Sequence, residues 1–562
     1  MHTQVMGLAP WHSRWSSAGA DDGALGSVGE RLGEAAGLPA VMSGSLLDED
    51  GLQIDWERLR MGGNPLAGRT YSLDAGLKDA EGPTNRDVGG SAHVKAAAAL
   101  ARGIQRDLEE VCLAAVGELK RRTGARNLCF VGGVALNSVL NGRLTRELGF
   151  AQTFIPPYPG DDGIATGCCA FALFSPLARC RLGGAGGAPP PLWDKPLPPY
   201  LGPEYAAAEV GEALDDAAPW LVVEEVPEVE ALVQQTAAVV AGGGVVAWWQ
   251  GRSEAGPRAL GHRSLLADPR NASMVAHINS KVKFREDFRP FAPSVLAEAA
   301  ADWFDGIEPC DAGEEADAEG GSRWGTKRNV SPYMSLTVDV KAGQRDKIPA
   351  VTHVDGTSRL QSVTASDEPL YRRLIAAFFK LTGVPMVLNT SFNTIKSEPI
   401  TESPADGVRS FLHARGAIAQ LVMGTHVIRR RPCPLKASIA TAQPERWGEE
   451  ALALTPEAAG AFVMETSEAV AAGGGEVTRV RIRMEASPMA CATLNEGWRA
   501  LTDSLEAELL ARCDGATTVG QLLAEFVREG EEAGELGGEE VTARDVTDRL
   551  TRLFDECLVS YR

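Results

Sequence analysis

The sequence predicts an α/β protein of about three domains, since 562 residues with 44% hydrophobic content can bury several separate cores. Two observations set the class. A helix, a short apolar strand, a glycine turn and a second helix follow one another between residues 100 and 137, and helix, glycines and strand recur between 229 and 249. A third sets the divisions: the Gly-, Ala- and Pro-rich run Gly183–Pro191 can sustain neither a helix nor a central strand and reads as a linker.

Leu100, Ile104, Leu108, Cys112, Ala115 and Leu119 recur at spacings of three and four, marking one face of a long helix that Gly124 can terminate. The apolar strand Leu128–Val131 runs into Gly132 and Gly133, and a helix begins near Leu136. A second brief strand, Thr153–Ile155, ends at Pro156-Pro157 and opens onto Gly160-Asp161-Asp162-Gly163. Helix Val229–Val240, three glycines and strand Val245–Trp249 follow. The acidic, Gly-rich stretch Asp311–Gly320 reads as a surface insertion, and a further break falls near Pro432–Ser438. Beyond it, Arg479, Arg481 and Arg483 alternate with Val480, Ile482 and Met484 as in a half-buried strand. Leu501, Leu505 and Leu509 mark a helix, Thr517-Thr518 can cap another through Phe526, and Thr542 with Asp545 can cap a third ending near Glu556.

Lys and Arg number 55 against 75 Asp and Glu, a net charge of −20 that disfavours nucleic acid and anionic membrane as partners. The stretch Glu496–Arg562, with seven basic and sixteen acidic residues, argues against DNA in particular. The ten cysteines form no CxxC pair and sit in mostly apolar surroundings, as reduced thiols do, so a cytoplasmic protein is expected. The first residues lack a secretory pattern, and no apolar run reaches the ~18 residues of a membrane span.

Three segments carry candidate chemistry. In Val131-Gly132-Gly133-Val134-Ala135-Leu136-Asn137, adjacent glycines after a strand let backbone N–H groups approach an anion at a helix start, although a plain packing turn reads the same way. Asp161 and Asp162, between glycines just past a strand end, can hold a cation or form a solvated turn. From Arg252 to Arg289 stand eight basic residues (Arg252, Arg258, Arg263, Arg270, Lys281, Lys283, Arg285, Arg289) against four acidic ones, in apolar, turn-rich sequence. Cations so placed are costly without anions, and phosphates match arginine forks; a solvated basic helix is the plainer alternative. Further on, Val387-Leu388-Asn389-Thr390-Ser391-Phe392-Asn393 ends a buried-type strand in hydroxyl and amide groups.

In order and spacing these residues resemble the O-carbamoyltransferase family that includes nodulation-factor, cephamycin and aminoglycoside carbamoyltransferases. The matching segments are Val5–Pro10, Gly132–Asn137, Gly160–Gly163, Gln250–Gly261, Lys283–Ser294 and Asn389–Asn393. The resemblance implies a partial actin/Hsp70/sugar-kinase-like domain over 1–182, a linker over 183–196, a YrdC-like α/β domain over 197–435, a linker over 436–475, and a small, mostly α, PqqD-like or winged-helix-like domain over 476–562. It further implies that the YrdC-like domain forms carbamoyl adenylate from carbamoyl phosphate and ATP, and that the first domain passes the carbamoyl group to a hydroxyl of a small-molecule acceptor. By motif position, Arg258, Lys283 and Arg289 are the expected catalytic groups; Gly132, Gly133, Asn137, Arg252, Arg285, Arg359, Asn389 and Ser391 are expected to bind nucleotide and carbamoyl phosphate; and Asp161 is the expected ligand of a divalent metal, iron or magnesium.

The family pattern also places two histidines one helical turn apart ahead of the Val5–Pro10 motif. The eight histidines here include no such pair, and Gln4 stands where a lysine is frequent. The expected metal site is therefore incomplete, as in a truncated enzyme or one half of a split enzyme served by a separate subunit; a binding pseudo-enzyme is the alternative. Threonylcarbamoyl-adenylate or tRNA-modification chemistry fits the acidic charge and the module order less well. The C-terminal domain is expected to take a peptide or protein partner or to be a structural appendage.

Overall fold

The computed structural model describes residues 92–174, 198–307, 331–364, 368–395 and 398–433, together with separate stretches between 456 and 561. The Val5–Pro10 motif, the Gly183–Pro191 run, the Asp311–Gly320 insertion and the expectations at Leu501, Leu505 and Thr542 lie outside these residues. The chain forms two compact units, one of Met1–Gly202, Val233–Gly243 and Arg252–Ser391, the other of Pro203–Leu232, Gly244–Gly251 and Phe392–Arg562. The stretch 197–435, expected as one domain, is thus shared between both.

The first unit opens with α1 (Ala92–Thr123), closed where Gly124, at φ +65°, returns its N–H to the Lys120 carbonyl at 2.9 Å. Strand β1 (Asn127–Cys129) pairs in parallel with β2 (Gln152–Phe154). Between them lie a 3₁₀ turn, Gly133–Leu136, and α2 (Ser138–Glu147), whose N-cap Asn137 accepts the Leu140 N–H at 3.1 Å. A second 3₁₀ turn, Asp161–Gly163, leads into α3 (Ile164–Phe174). The chain continues through α4 (Ala207–Asp216), β3 (Leu221–Glu225), α5 (Val229–Ala241), β4 (Val246–Trp249), β5 (Arg263–Ala267), β6 (Ala292–Leu296), β7 (Leu336–Asp339) and β8 (Thr357–Val363). After these come α6 (Pro369–Thr382), β9 (Met386–Ser391), α7 (Pro404–His413), β10 (Gln420–Met423) and β11 (His426–Arg430).

Five strands of the first unit lie in the order β5-β9-β6-β8-β7, antiparallel except for the β6–β8 pair. Helix α6 shows why it forms: Pro369 sits at its first turn, Tyr371, Leu374, Ile375 and Phe378 fall on one buried stripe, and Gly383 at φ +73° ends it. Truncating Phe378, fully buried on that stripe, would cost about 3–5 kcal/mol. Side chains two apart on a strand share a face. Asn389 and Ser391 of β9 therefore project together, as do Arg359 and Gln361 of β8, and Ser294 of β6 stands in register with Gln361. This buried polar row is the floor of the site described below.

In the second unit the order is β3-β11-β10-β4, with β10 and β4 parallel. Helix α7 begins at a reciprocal cap, Asp406 N–H to Ser403 Oγ at 3.2 Å and Ser403 N–H to Asp406 Oδ2 at 3.1 Å. It buries Val408, Phe411 and Leu412. Later strands are β12 (Pro456–Ala458), β13 (Phe462–Val470), β14 (Glu476–Met484) and β15 (Arg499–Ala500), then α8 (Ala543–Asp555) and β16 (Val559–Tyr561). β14 covers the alternating arginines, and Thr518 caps its turn by exchanging hydrogen bonds with Gln521 at 2.7 and 3.2 Å. The stretch 436–475, expected as linker, contains β12 and β13, and beyond 476 the described residues hold the strands β14, β15 and β16 beside the helix α8. Phe462, Met464 and Thr466 alternate with Val463 and Glu465 in a pattern whose apolar residues on both faces blur the strand signal. Among the described residues no helix is long and apolar enough to cross a membrane.

Candidate active site

Two loops of the first unit cover the polar row. The first, 252–262, is curled around one carboxylate: Glu254 Oε1 accepts the N–H groups of Leu260 at 2.7 Å and His262 at 2.8 Å, and Oε2 accepts that of Arg263 at 3.1 Å. From below, Asn389 donates to the Ala259 carbonyl at 3.1 Å and Gln361 to the Leu260 carbonyl at 2.8 Å, while Ser294 donates to Gln361 at 2.6 Å. From the side, Tyr200 Oη donates to the Leu260 carbonyl at 3.2 Å and stacks on His262 with ring centroids 3.8 Å apart. His262 bonds Glu368 at 2.8 Å through Nε2. Burial would depress His262, but the hydrogen bond and charge of Glu368, aided by Glu254 and the Arg252 carbonyl, reverse this and raise it above 6.5. So held, the loop presents Arg258.

The second loop follows a π-type turn, Ile278–Val282, of the sort that clusters at functional sites. Asn279, fully buried, organises it: its Oδ1 accepts Arg285 Nε at 2.8 Å, and its Nδ2 reaches the Arg289 carbonyl at 3.2 Å. Phe284 adopts φ +47°, a left-handed conformation unfavourable for a bulky side chain. Across that turn Lys283 and Arg285 lie within each other's field. Lys283 Nζ donates to the Ser391 carbonyl and to Ser391 Oγ at 3.1 Å.

The electrostatics of this group are strained. Burial pushes Arg258 down to about 10. Burial and then the neighbouring Arg289 push Arg285 down to about 10, opposed by Glu286. Burial and then Arg258 and Arg285 hold Arg359 well below the usual arginine value, and burial with Arg285 does the same to Lys283. An arginine stays protonated at neutral pH, so these shifts measure unfavourable energy in the charged cluster rather than loss of its protons. Arg258 has no hydrogen bond or ion pair among the described residues, and the buried Arg359 Nε has no hydrogen-bond partner there. Arg289 Nε lies 2.9 Å from Glu286 Oε2, without alignment for a hydrogen bond. His353, beside Arg359, is lowered by burial and that charge to about 4, against the pull of Asp355, and is neutral.

The structure thus brings Arg258, Lys283, Arg285, Arg289 and Arg359 together, with Ser391 against Lys283. It places the rest of the basic segment elsewhere. Arg252 is exposed and donates to the Gly202 carbonyl at 3.3 Å; Arg263 is fully buried on β5; Arg270 is paired with Asp268 at 2.6 Å; Lys281 is exposed. Asn389 spends its donors on the Ala259 carbonyl, Ser294 and Gln361, leaving its buried Oδ1 without a partner. Glu254, Asn279, Ser294, Gln361 and the His262–Glu368 pair were not picked out by sequence reasoning. The lone acid of a basic, glycine-rich loop is the one signal that could have found Glu254.

The glycine loop looks different. Gly132, at φ +102°, donates its N–H to the Pro159 carbonyl at 2.6 Å, and Gly133 starts the 3₁₀ turn. Asn137 is buried and fully engaged, capping α2 and donating to Gln105 at 2.8 Å. The Gly160–Gly163 loop abuts the arginine loop: a Cβ on Gly256 would lie 2.5 Å from the Pro157 carbonyl and 3.3 Å from Asp162 Oδ2. Asp161 and Asp162 are exposed, and among the described residues no three His, Cys, Asp or Glu side chains converge. One or two carboxylates do not make a closed ligand set for a divalent metal, so these residues alone do not fit one.

Fold and site define an α/β protein with a desolvated cation cluster over a buried polar sheet face. Comparison with known proteins narrows this. The carbamoyltransferase C-terminus model matches residues 237–430 and the carbamoyltransferase N-terminus model matches residues 84–170, and the chain belongs to this carbamoyltransferase family. It is 35% identical over 424 residues to nodulation protein NolNO of Sinorhizobium fredii, covering 75% of this chain and 54% of that protein. It is 36% identical over 334 residues to nodulation protein NolO of Bradyrhizobium diazoefficiens, covering 59% and 55%, and 35% identical over 371 residues to an uncharacterized Synechocystis protein, covering 62% and 54%. The chain spans about half the length of the curated relatives it matches.

Proposed function

We propose that the cation cluster binds carbamoyl phosphate and ATP and supports formation of carbamoyl adenylate, whose carbamoyl group then passes to a hydroxyl of a small-molecule acceptor. The observation that carries this reading is the crowding of the partly buried Arg258, Arg285 and Arg359 within one another's field, with no carboxylate paired to Arg258 or Arg359 among the described residues. Buried cations persist where an anion completes them. A triphosphate and an acyl phosphate supply that charge, and arginine forks match their oxygens two at a time.

In balanced form, water cleaves carbamoyl phosphate to carbamate and phosphate. A carbamate oxygen then attacks the α-phosphorus of ATP, forming the mixed anhydride as the bond to pyrophosphate breaks. Arg258, Arg285 and Arg359 would stabilise charge growing on the transferred and departing phosphates. Lys283, held by Ser391 and depressed by burial and by Arg285, is placed to hydrogen-bond a phosphate or carbamate oxygen. In the second half, the acceptor oxygen attacks the carbamoyl carbon, AMP leaves, and the hydroxyl proton passes to solvent or a base. The glycine loop is the proposed seat of the adenylate during that step, through the Gly133 N–H, since the Gly132 N–H goes to the Pro159 carbonyl. An enzyme-coupled pyrophosphate assay on the full chain tests the first half. Release that requires both ATP and carbamoyl phosphate supports the proposal, and none from folded protein would sink it.

A further inference from the structure

We infer that Asn141 is a positioning residue that fastens the glycine loop to the edge strand paired with the Arg359 strand. Its side chain is 0% exposed, and its one carboxamide nitrogen donates in two directions: to the Ala135 carbonyl in the glycine loop at 2.8 Å and to the Ser335 carbonyl at the start of β7 at 2.9 Å.

The surroundings make that fastening stiff. Residue 142 is glycine because α2 lies flat against β7, and a Cβ there would collide with the Thr337 carbonyl oxygen. The same strand is gripped at Thr337, whose hydroxyl donates to Ser138 at 2.9 Å and whose carbonyl accepts from Arg146 at 3.0 Å. Ala135 of the loop, Ile155 after β2 and Leu336 of β7 form one buried apolar cluster joined by Phe130. Thr337 stands directly opposite Arg359 in the β7–β8 register. A chain of four contacts therefore runs from the glycine loop through Asn141 and β7 to the arginine cluster. The second half of the proposed reaction needs the mixed anhydride to meet the glycine loop in a fixed place, and that register is what Asn141 sets. For what the loop holds, this inference rests on the proposed function; for the fastening it rests on geometry alone.

The test uses the full chain with Asn141→Asp, which keeps the shape but aims a carboxylate at two carbonyl oxygens, and with Asn141→Ser should the first variant not fold. Arg146→Met, which loosens β7 without touching the loop, is the control. Hydrogen exchange is read over 132–137 and 335–339, alongside pyrophosphate release and the affinity for AMP. Losing both hydrogen bonds should speed exchange in both segments about tenfold or more in the Asn141 variants, while Arg146→Met speeds it in β7 alone. AMP affinity should fall about tenfold with the pyrophosphate-release rate kept within about twofold, a split that a general loss of packing would not give. Unchanged exchange in the loop overturns the inference, as does a parallel fall of AMP affinity and pyrophosphate release. Wild-type protein that releases no pyrophosphate would remove the proposed function, and the exchange experiment would still decide on Asn141.

Discussion

The arginine cluster and the glycine loop both bear motifs that bind phosphates in α/β proteins, yet they meet their polar needs in opposite ways. Around Asn137 the side chains complete one another: Gln105, Asn137 and the α2 N-terminus form a closed set. Around Arg359 they do not, and three guanidinium groups crowd together with buried N–H donors left over. Internal satisfaction marks Asn137 as a structural side chain, and the deficit around Arg359 signals a ligand, because a buried unpaired charge is too costly to keep otherwise. A motif read from sequence cannot distinguish the two, since both consist of the same residue types in turn-rich sequence.

The sharpest way to break this contrast is Arg359→Ala, expected to lower pyrophosphate release by about a hundredfold or more, as removal of a charge-stabilising group does, while leaving the protein folded and, by relief of repulsion, no less stable. A variant that released pyrophosphate normally would place the phosphates elsewhere. Next comes Glu254→Ala. It frees three backbone N–H groups that hold Arg258 in place, so release should fall about tenfold with partial recovery in Glu254→Gln, which keeps an acceptor oxygen. Asn137→Ala should do the converse, costing about 1–2 kcal/mol in urea unfolding through the lost cap while changing pyrophosphate release by less than about twofold. Loss of release in that variant would make Asn137 more than a cap.

The smallest effect concerns pH. His262 has a folded pKa raised by Glu368 and Glu254 above its ordinary 6.5. Its stabilising contribution is therefore complete below about 6.5 and fades as pH rises through the folded value. Chemical denaturation of the full chain across pH 6 to 9 should show a shallow decline that His262→Phe flattens. An equal decline in both proteins would show that the His262–Glu368 pair lends no such stability.

Much of the local fold was legible because period and punctuation agreed. The helix read from Leu100 to Leu119 ends at Gly124 as expected, and the strands at Leu128, Thr153 and Val245 appear within a residue or two of their predicted places. The cation excess from Arg252 to Arg289 contains four of the five cations that the fold brings together, Arg258, Lys283, Arg285 and Arg289. It could not say which members converge, because that depends on strand facing and on how the two loops fold back over the sheet. Arg263 and Arg270 bracket a buried strand and serve the structure, whereas Lys283 and Arg285 flank the left-handed Phe284 and lie in each other's field. Arg359 lies seventy residues beyond that segment in sequence and enters the cluster through the β6–β8 pairing, a non-local fact. Asn141 gave no signal of its own, since a buried amide on a helix that satisfies backbone groups looks in sequence like any other polar helix residue, and Glu254 gave only that of a lone acid in a basic, glycine-rich loop.

The most direct measurement is isothermal titration of inorganic pyrophosphate into the full chain at neutral pH, beside the Arg258→Ala/Arg359→Ala double variant. Saturable binding at one site per chain that the double variant loses is the predicted result. Equal binding by both proteins, or none by the folded wild type, would contradict the assignment of the cluster to phosphates.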